Sequence, residues 1–344
     1  MALILVCILP GVLCPAPPPQ AAASLREVAR SDRQWTGVAI APDGRLFASF
    51  PRGSAAGPSL VEVAMSGATT PYPDADWNRW EPGLPPTDHF ICVQSVVADD
   101  AGGLWVLDAA NPEFQGVVPG GAKLVRVDLK TNRVSLKILF DATAAPRDSY
   151  LNDVRIDTKR RLAYITDSGL GAILVADLKE GAAWRVLEGH PSTRAEETVV
   201  TVEGREFKKR VHADAVALAP KGDWLYYQAL AGRTLYRVPT RLLRDPLVPD
   251  DRIGAAVEKV AEPGPSGGLA ADAEGNLYLA SIEKNAVTRV DPKGNLSVLA
   301  QDPVLKWPDS IALSPEGLLF VTTSQLHLAP KPEEPYRIFC IKYK

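Results

Sequence analysis

The chain has 344 residues, 46% of them hydrophobic and 23% charged, and 38 basic against 41 acidic side chains leave a formal net charge of −3. This is the balance of a globular protein with a buried core. It excludes a disordered chain, and the lack of any basic stripe excludes nucleic acid as a partner, since the short clusters at 159–161 and 208–210 read as solvated turns. Four cysteines without a CxxC exclude a cysteine cage for a metal.

The N-terminus, MALILVCILPGVLC, is an apolar run too short to span a bilayer, and PAPPPQAAAS follows it. Ala21, Ala22 and Ala23 offer a small-residue cleavage site ahead of Ser24. Residues 1–23 therefore read as a secretory signal peptide, although no Lys or Arg precedes the apolar run. The mature chain, residues 24–344, is expected outside the cytoplasm (extracellular or periplasmic), free of the membrane after cleavage, and monomeric. Cys92 and Cys340 remain in it, either as a single disulfide or as two buried free thiols.

From Thr36 onward one paragraph is written six times: TGVAIAPDGRLFAS, QSVVADDAGGLWVL, NDVRIDTKRRLAYI, DAVALAPKGDWLYY, GGLAADAEGNLYLA and DSIALSPEGLLFVT. Its first apolar anchors are Val38, Val96, Val154, Val216, Leu269 and Ile311, separated by 58, 58, 62, 53 and 42 residues by subtraction. Each unit is a short apolar strand, a Gly- or Asn-bearing turn that supplies positive φ, and a second strand with an aromatic near its start. A weaker two-strand signal follows each unit, as in AKLVRVDLKTNRVSLKILF. Two hairpins per unit make a four-stranded blade, so the fold is predicted to be all-β, a six-bladed β-propeller. No long 3.6-period stripe appears, which excludes βαβ units. Short helices are expected only near 240–244 and 250–260.

The last unit lacks a fourth strand, and the alternating segment at 24–30 can provide it by pairing with the last blade, closing the ring without exposed edges. Two long excursions stand out. Residues 51–89, rich in Pro and carrying Trp77 and Trp80, are expected to complete the first blade and then cover the channel. Residues 181–209 carry Trp184, His190 and Phe207.

Inner strands of a propeller converge on its axis, so the residue two before each anchor should face the channel mouth. These are Thr36, Gln94, Asn152, Asp214, Gly267 and Asp309. Asn152, Asp214 and Asp309 form an oxygen-rich trio from blades three, four and six, suited to Ca²⁺ or to a ligand amine. His212 is the candidate base at the same mouth, while Trp35 and Trp307 are candidates to stack on an aromatic ligand. The bland readings are that Asn152 and Asp153 cap a turn, as Asp43, Asp99 and Asp272 are expected to do, and that the histidines serve structure. Trp105, Tyr164, Tyr226 and Tyr278 recur at one repeat position and read as inter-blade core.

The segments SYLNDVRIDTKRRLAYITDSGLGAILVADL and LYYQALAGRTLYRVPT, with VVADDAGGLWVLDAA and KWPDSIALSPEG, resemble the Yellow/major royal jelly protein family over nearly all the mature chain. That resemblance implies a secreted, six-bladed propeller, linked in insects to dopachrome conversion, to binding of small aromatic amines, or to no catalysis. A fainter likeness is to the Ca²⁺-dependent gluconolactonase/regucalcin-like propellers, through Asn152-Asp153, Pro308-Asp309 and DAEGNLYLA. It implies one divalent ion held by Glu, Asn and Asp of inner strands. Here Thr36-Gly37 stands where the Glu is expected, and Ala213-Asp214 where Asn-Gly is usual.

There is no GxSxG, HExxH, P-loop or dinucleotide fingerprint. The leading reading is a secreted propeller that binds a small polar or aromatic molecule in its axial pocket. The alternatives are a Ca²⁺-dependent lactonase, with Asn152, Asp214 and Asp309 on the metal and His212 moving the proton, and a non-catalytic scaffold that binds proteins on its face.

Overall fold

The computed structural model describes residues 24–51, 57–64, 66–196, 199–329, 332 and 335–344. The expected signal peptide and its cleavage site lie outside the described residues. Six four-stranded antiparallel sheets follow one another along the chain, each laid down in strand order from the axis outward. The inner strands are Val38–Ile40, Val93–Ala98, Leu151–Asp157, Ala213–Leu218, Ser266–Ala271 and Pro308–Leu313. The sixth sheet takes its outermost strand from the other end of the chain: Leu25–Ser31 pairs antiparallel with Tyr336–Lys342, Leu25 opposite Ile341 and Ser31 opposite Tyr336.

A single twisted sheet has two apolar faces and no partner within itself, so each blade must bury them on its neighbours. The core accordingly divides into layers between blades. Phe47, Val96 and Leu104 fill the layer between blades one and two; Tyr164, Val175 and Tyr227 the layer between three and four. Tyr278, Ile311 and Val321 lie between five and six, and Val38, Val61, Phe320 and Ile338 join six to one. The aromatic at the start of each second strand belongs to these layers; in blade four Tyr226, partly buried, packs on the layer that Leu235 shares with Leu269 and Leu279 of blade five.

Blades two to six each break register at the entrance of the inner strand, between Val93 and Ser95, Leu151 and Val154, Ala213 and Ala215, Ser266 and Leu269, and Pro308 and Ile311. Such bulges re-aim side chains, and here they turn Gln94, Asn152, Asp214 and Asp309 away from the blade faces. Hydroxyls from the second strands lock the entrances together. Thr166 Oγ1 accepts from Asp153 N (3.0 Å) and donates to Asp214 O in the next blade (2.5 Å). Ser49 does the same between Gly37 N and Gln94 O, both at 3.0 Å. Thr322 accepts from Ser310 N (3.1 Å) and donates to Thr36 O (2.6 Å), joining the last blade to the first. Backbones approach so closely that a Cβ on Gly268 would lie 2.3 Å from Asp309 O, which requires glycine there.

Several expectations are corrected. The helix expected over 250–260 is confined to Asp250–Gly254, because Glu258–Ala261 is already the outer strand of blade four. The segment 51–89 completes the first blade, as expected, but none of its described residues lines the axial cavities. It forms strands Leu60–Val63 and Thr69–Pro71 and helix Ala75–Asn78, and Trp77 packs on Phe90 (ring centroids 4.9 Å) while Trp80 joins the layer between blades two and three. The face over the mouth carries instead a hairpin of the other excursion, Val200–Val202 with Arg205–Phe207. Its Val200 and Val202 pack with Leu230, Ile282 and Trp307 on the loops of blades four, five and six. Cys92 and Cys340 are buried and are not joined in a disulfide.

Two outcomes test how the ring is closed. Deleting residues 24–31 strips the last blade of a strand and is expected to lower the thermal midpoint by at least about 5 °C in calorimetry. Thr322→Val, nearly isosteric, orphans Ser310 N and Thr36 O and should cost about 1–3 kcal/mol in urea unfolding. An unchanged midpoint in either variant would mean that the ring does not depend on that contact.

Candidate functional site

At the mouth the bulged entrances bring three of the expected residues into one hydrogen-bonded chain. Tyr150 OH donates to Gln94 Oε1 (2.9 Å), Gln94 Nε2 to Asn152 Oδ1 (3.3 Å), and Asn152 Nδ2 to Asp214 Oδ2 (2.8 Å) and Ser168 Oγ (3.0 Å). Asp309 stands close enough to Asp214 to raise its pKa, and both are buried. Burial is the main cause of the rise in each. It pushes Asp309 up to about 7, with Asp153 adding and the Ser324 hydroxyl opposing. It holds Asp214 well above the usual carboxylate range, Asp309 and Asp153 adding and Asn152 opposing. Burial likewise raises Tyr150 well above its ordinary value.

Just beneath lies a charged pair that the repeat alignment did not single out. Asp153 Oδ1 accepts from Ser95 Oγ (2.6 Å) and Arg155 Nη1 (2.9 Å). Arg155 also bonds Val154 O of its own strand (2.6 Å) and Leu269 O of blade five (2.5 Å), so its side chain links blade three to blade five. The space left above it, walled by Thr36, Gln94, Asn152, Gly267 and Asp309 among others, is a cavity of ≈10 Å³, room for one water-sized body.

The remaining candidates are placed otherwise. Thr36 serves the ring, its Oγ1 donating to Gln94 O (3.0 Å). His212 is half-buried, its Nδ1 accepting from Ala195 N (2.9 Å), and burial with Arg194 nearby lowers its pKa. Its Nδ1 is thus engaged by a loop, and among the described residues its ring makes no hydrogen bond to Asp214. Trp35 and Trp307 do not face open space. Both have 0% exposure, Trp35 donating Nε1 to Arg337 O (3.2 Å), Trp307 enclosed by Phe207 (4.8 Å) and His327 (5.8 Å). The turn carboxylates Asp99 and Asp272 cap their turns, as expected: Asp99 takes Ala101 N, Gly103 N and Trp105 Nε1.

Phe114 is the aromatic that does stand at the mouth. It is 60% exposed, stacks on Tyr150 (4.2 Å, 17°) and lies under Lys209 Nζ (5.4 Å). Its φ of 59° follows 57° at Glu113, so two consecutive non-glycine residues occupy the left-handed region to place it. Nothing in the repeat pattern points to Phe114, which belongs to a loop outside the repeated hairpin.

The residues present do not make a Ca²⁺ cage. Among the described residues no group of three or more His, Cys, Asp or Glu is arranged to hold a metal. Asn152 presents its amide N–H to Asp214 and spends its oxygen on Gln94, which leaves two carboxylates where six to eight oxygens are wanted.

Comparison with known proteins places this architecture. Solved structures with the same fold include a gluconolactonase from Xanthomonas campestris (TM-score 0.58, 14% identity, 93% of this chain and 89% of that one). A virginiamycin B lyase from Staphylococcus aureus is similar too (TM-score 0.54, 11% identity, 93% and 99% covered). At such identities these share the fold alone. In sequence, Major royal jelly protein 7 of Apis mellifera is 26% identical over 180 residues, 50% of this chain but only 39% of that protein's length. The model of the family described as Major royal jelly protein matches residues 91–334, a span that holds the bulged entrances of blades two to six and Asn152-Asp153, and the chain belongs to the major royal jelly protein family.

Proposed function

We propose that this chain is a secreted small-molecule-binding propeller whose axial mouth takes a compact cationic group, such as the ammonium of a small aromatic amine, against Asp214 and Asp309. One observation carries the reading: two buried carboxyls stand close enough at the mouth for Asp309 to raise the pKa of Asp214, while the charge of the nearby guanidinium, Arg155, is paired with Asp153. Like charges desolvated together are relieved by a proton or by a bound cation. The ammonium occupies the small cavity, whose wall holds Asp309 and Asn152, the hydrogen-bond partner of Asp214, and the attached ring lies above it, in the place where Phe114 now stacks on Tyr150. Secretion rests on the leader, residues 1–23, which is expected to be removed before Ser24. His212, engaged by Ala195 N, reaches none of the mouth carboxyls, so the proton-moving role expected of it has no geometry here.

The experiment is calorimetric titration of EDTA-stripped protein with tyramine, and separately with Ca²⁺, on the wild type and Asp214→Asn. Tyramine is expected to bind without metal and to weaken roughly ten-fold or more in the variant, the loss of one charge-assisted contact. Binding of Ca²⁺ that the variant abolishes would favour the lactonase reading and a lactone screen. Binding of neither would overturn the site.

The same carboxyls predict an unusual pH dependence. Both are raised on folding, Asp309 to about 7, so at Asp309 the folded state holds an extra proton between the ordinary value, 3.8, and about 7. The stability that Asp309 contributes is complete below about pH 4 and is lost as pH rises through about 7. Asp309→Asn should therefore raise the thermal midpoint at about pH 8 and leave it unchanged near pH 4. A wild-type midpoint that does not fall between about pH 5 and 8 would mean that both carboxyls ionise normally.

A further inference from the structure

On the far side of Arg155 the axis opens again. The ends of the inner strands wall a cavity of ≈360 Å³, within the roughly 300–1,000 Å³ of small-molecule sites. Its wall is apolar and only partly shielded: Ile40, Val97, Ile156, Leu218, Ala271 and Leu313 line it and are half-buried. Of its charged groups, Asp99 is already taken by Trp105 Nε1 and two backbone N–H groups, and Asp100 lies exposed at the rim. Arg155 is the cation. Its Nη1 is used by Asp153 and Val154 O, and its Nη2 donates once, to Leu269 O. The Nε–H and the second hydrogen of Nη2 have no acceptor among the described residues. Asp153 lies on the mouth side, also held by Ser95.

A guanidinium with two spare donors at the inner end of an apolar funnel is complementary to one chemistry, an acceptor carried on an apolar body, and a carboxylate suits it best because the bond is charge-assisted and two-pronged. The geometry points to a second ligand site at this end of the axis, for a small molecule with an apolar body and a terminal carboxylate. It is separate from the mouth, since the Arg155 side chain and its three acceptors stand between the two cavities.

The test is calorimetric titration of the full mature chain with decanoate, and with decanol as the same body lacking the charge. Decanoate is expected to bind one-to-one, decanol roughly ten-fold more weakly. Arg155→Met should bring decanoate down to the level of decanol, and Ala271→Trp, which fills the funnel while keeping the arginine, should abolish binding of both. If Arg155→Met fails to fold, leaving Asp153 buried without its partner, Ala271→Trp decides. No decanoate binding by the wild type, or binding that survives Ala271→Trp, would overturn the site, as would equal affinity for the two probes.

Discussion

The constraint behind everything else is that no blade has a core of its own. Each four-stranded sheet leaves two apolar faces, and the layers Phe47–Val96–Leu104 or Tyr278–Ile311–Val321 exist only between neighbours. An open arc of blades would leave two such faces in water, at roughly 25 cal/mol for each Å² exposed. The ring must close, and that forces six inner strands onto one axis, where their entrances leave little room for ordinary side-chain packing. Gly268 and the hydroxyls of Ser49, Thr166 and Thr322 are the response: backbone set against backbone, with the polar groups paired across blades.

This crowding explains the chemistry of the axis. A bulge at each entrance aims side chains inward, and they meet others aimed in the same way, far from bulk water. Asp153 finds a cation, because a third residue of the same strand, Arg155, is an arginine long enough to reach it and blade five. Asp214 and Asp309 find only an amide, a hydroxyl and each other. Two neighbouring pairs of positions thus have opposite character, one neutralised internally and one left to be neutralised from outside.

The architecture was legible in the sequence because a repeat states the same hydrophobic demand six times; errors in one copy are outvoted by the rest. The missing fourth strand of the last blade was legible for the same reason. Of the site, the trio Asn152, Asp214 and Asp309 was readable from position within the repeat. Arg155 was readable in principle, as a charge two residues from Asp153 on the same side of an apolar strand, though its partners in blade five were not. Trp35 and Trp307 misled because nearness to the mouth along the chain says nothing about which way a ring turns, and both turn into packed layers. Phe114 had no signal at all, since its position depends on a left-handed loop that no periodicity encodes.

The pairing of Leu25 with Ile341 joins strands more than three hundred residues apart, and that distance has a kinetic meaning. Contacts so remote in sequence are the slowest to form, because the loop that they close must first be ordered. During synthesis the strand Leu25–Ser31 waits, edge exposed, for Tyr336–Lys342 to emerge. Until then the first and sixth blades each keep a bare apolar face. Any state in which this pairing is not yet made is an incomplete ring, and its exposed seam is the part of the molecule most open to association with other chains.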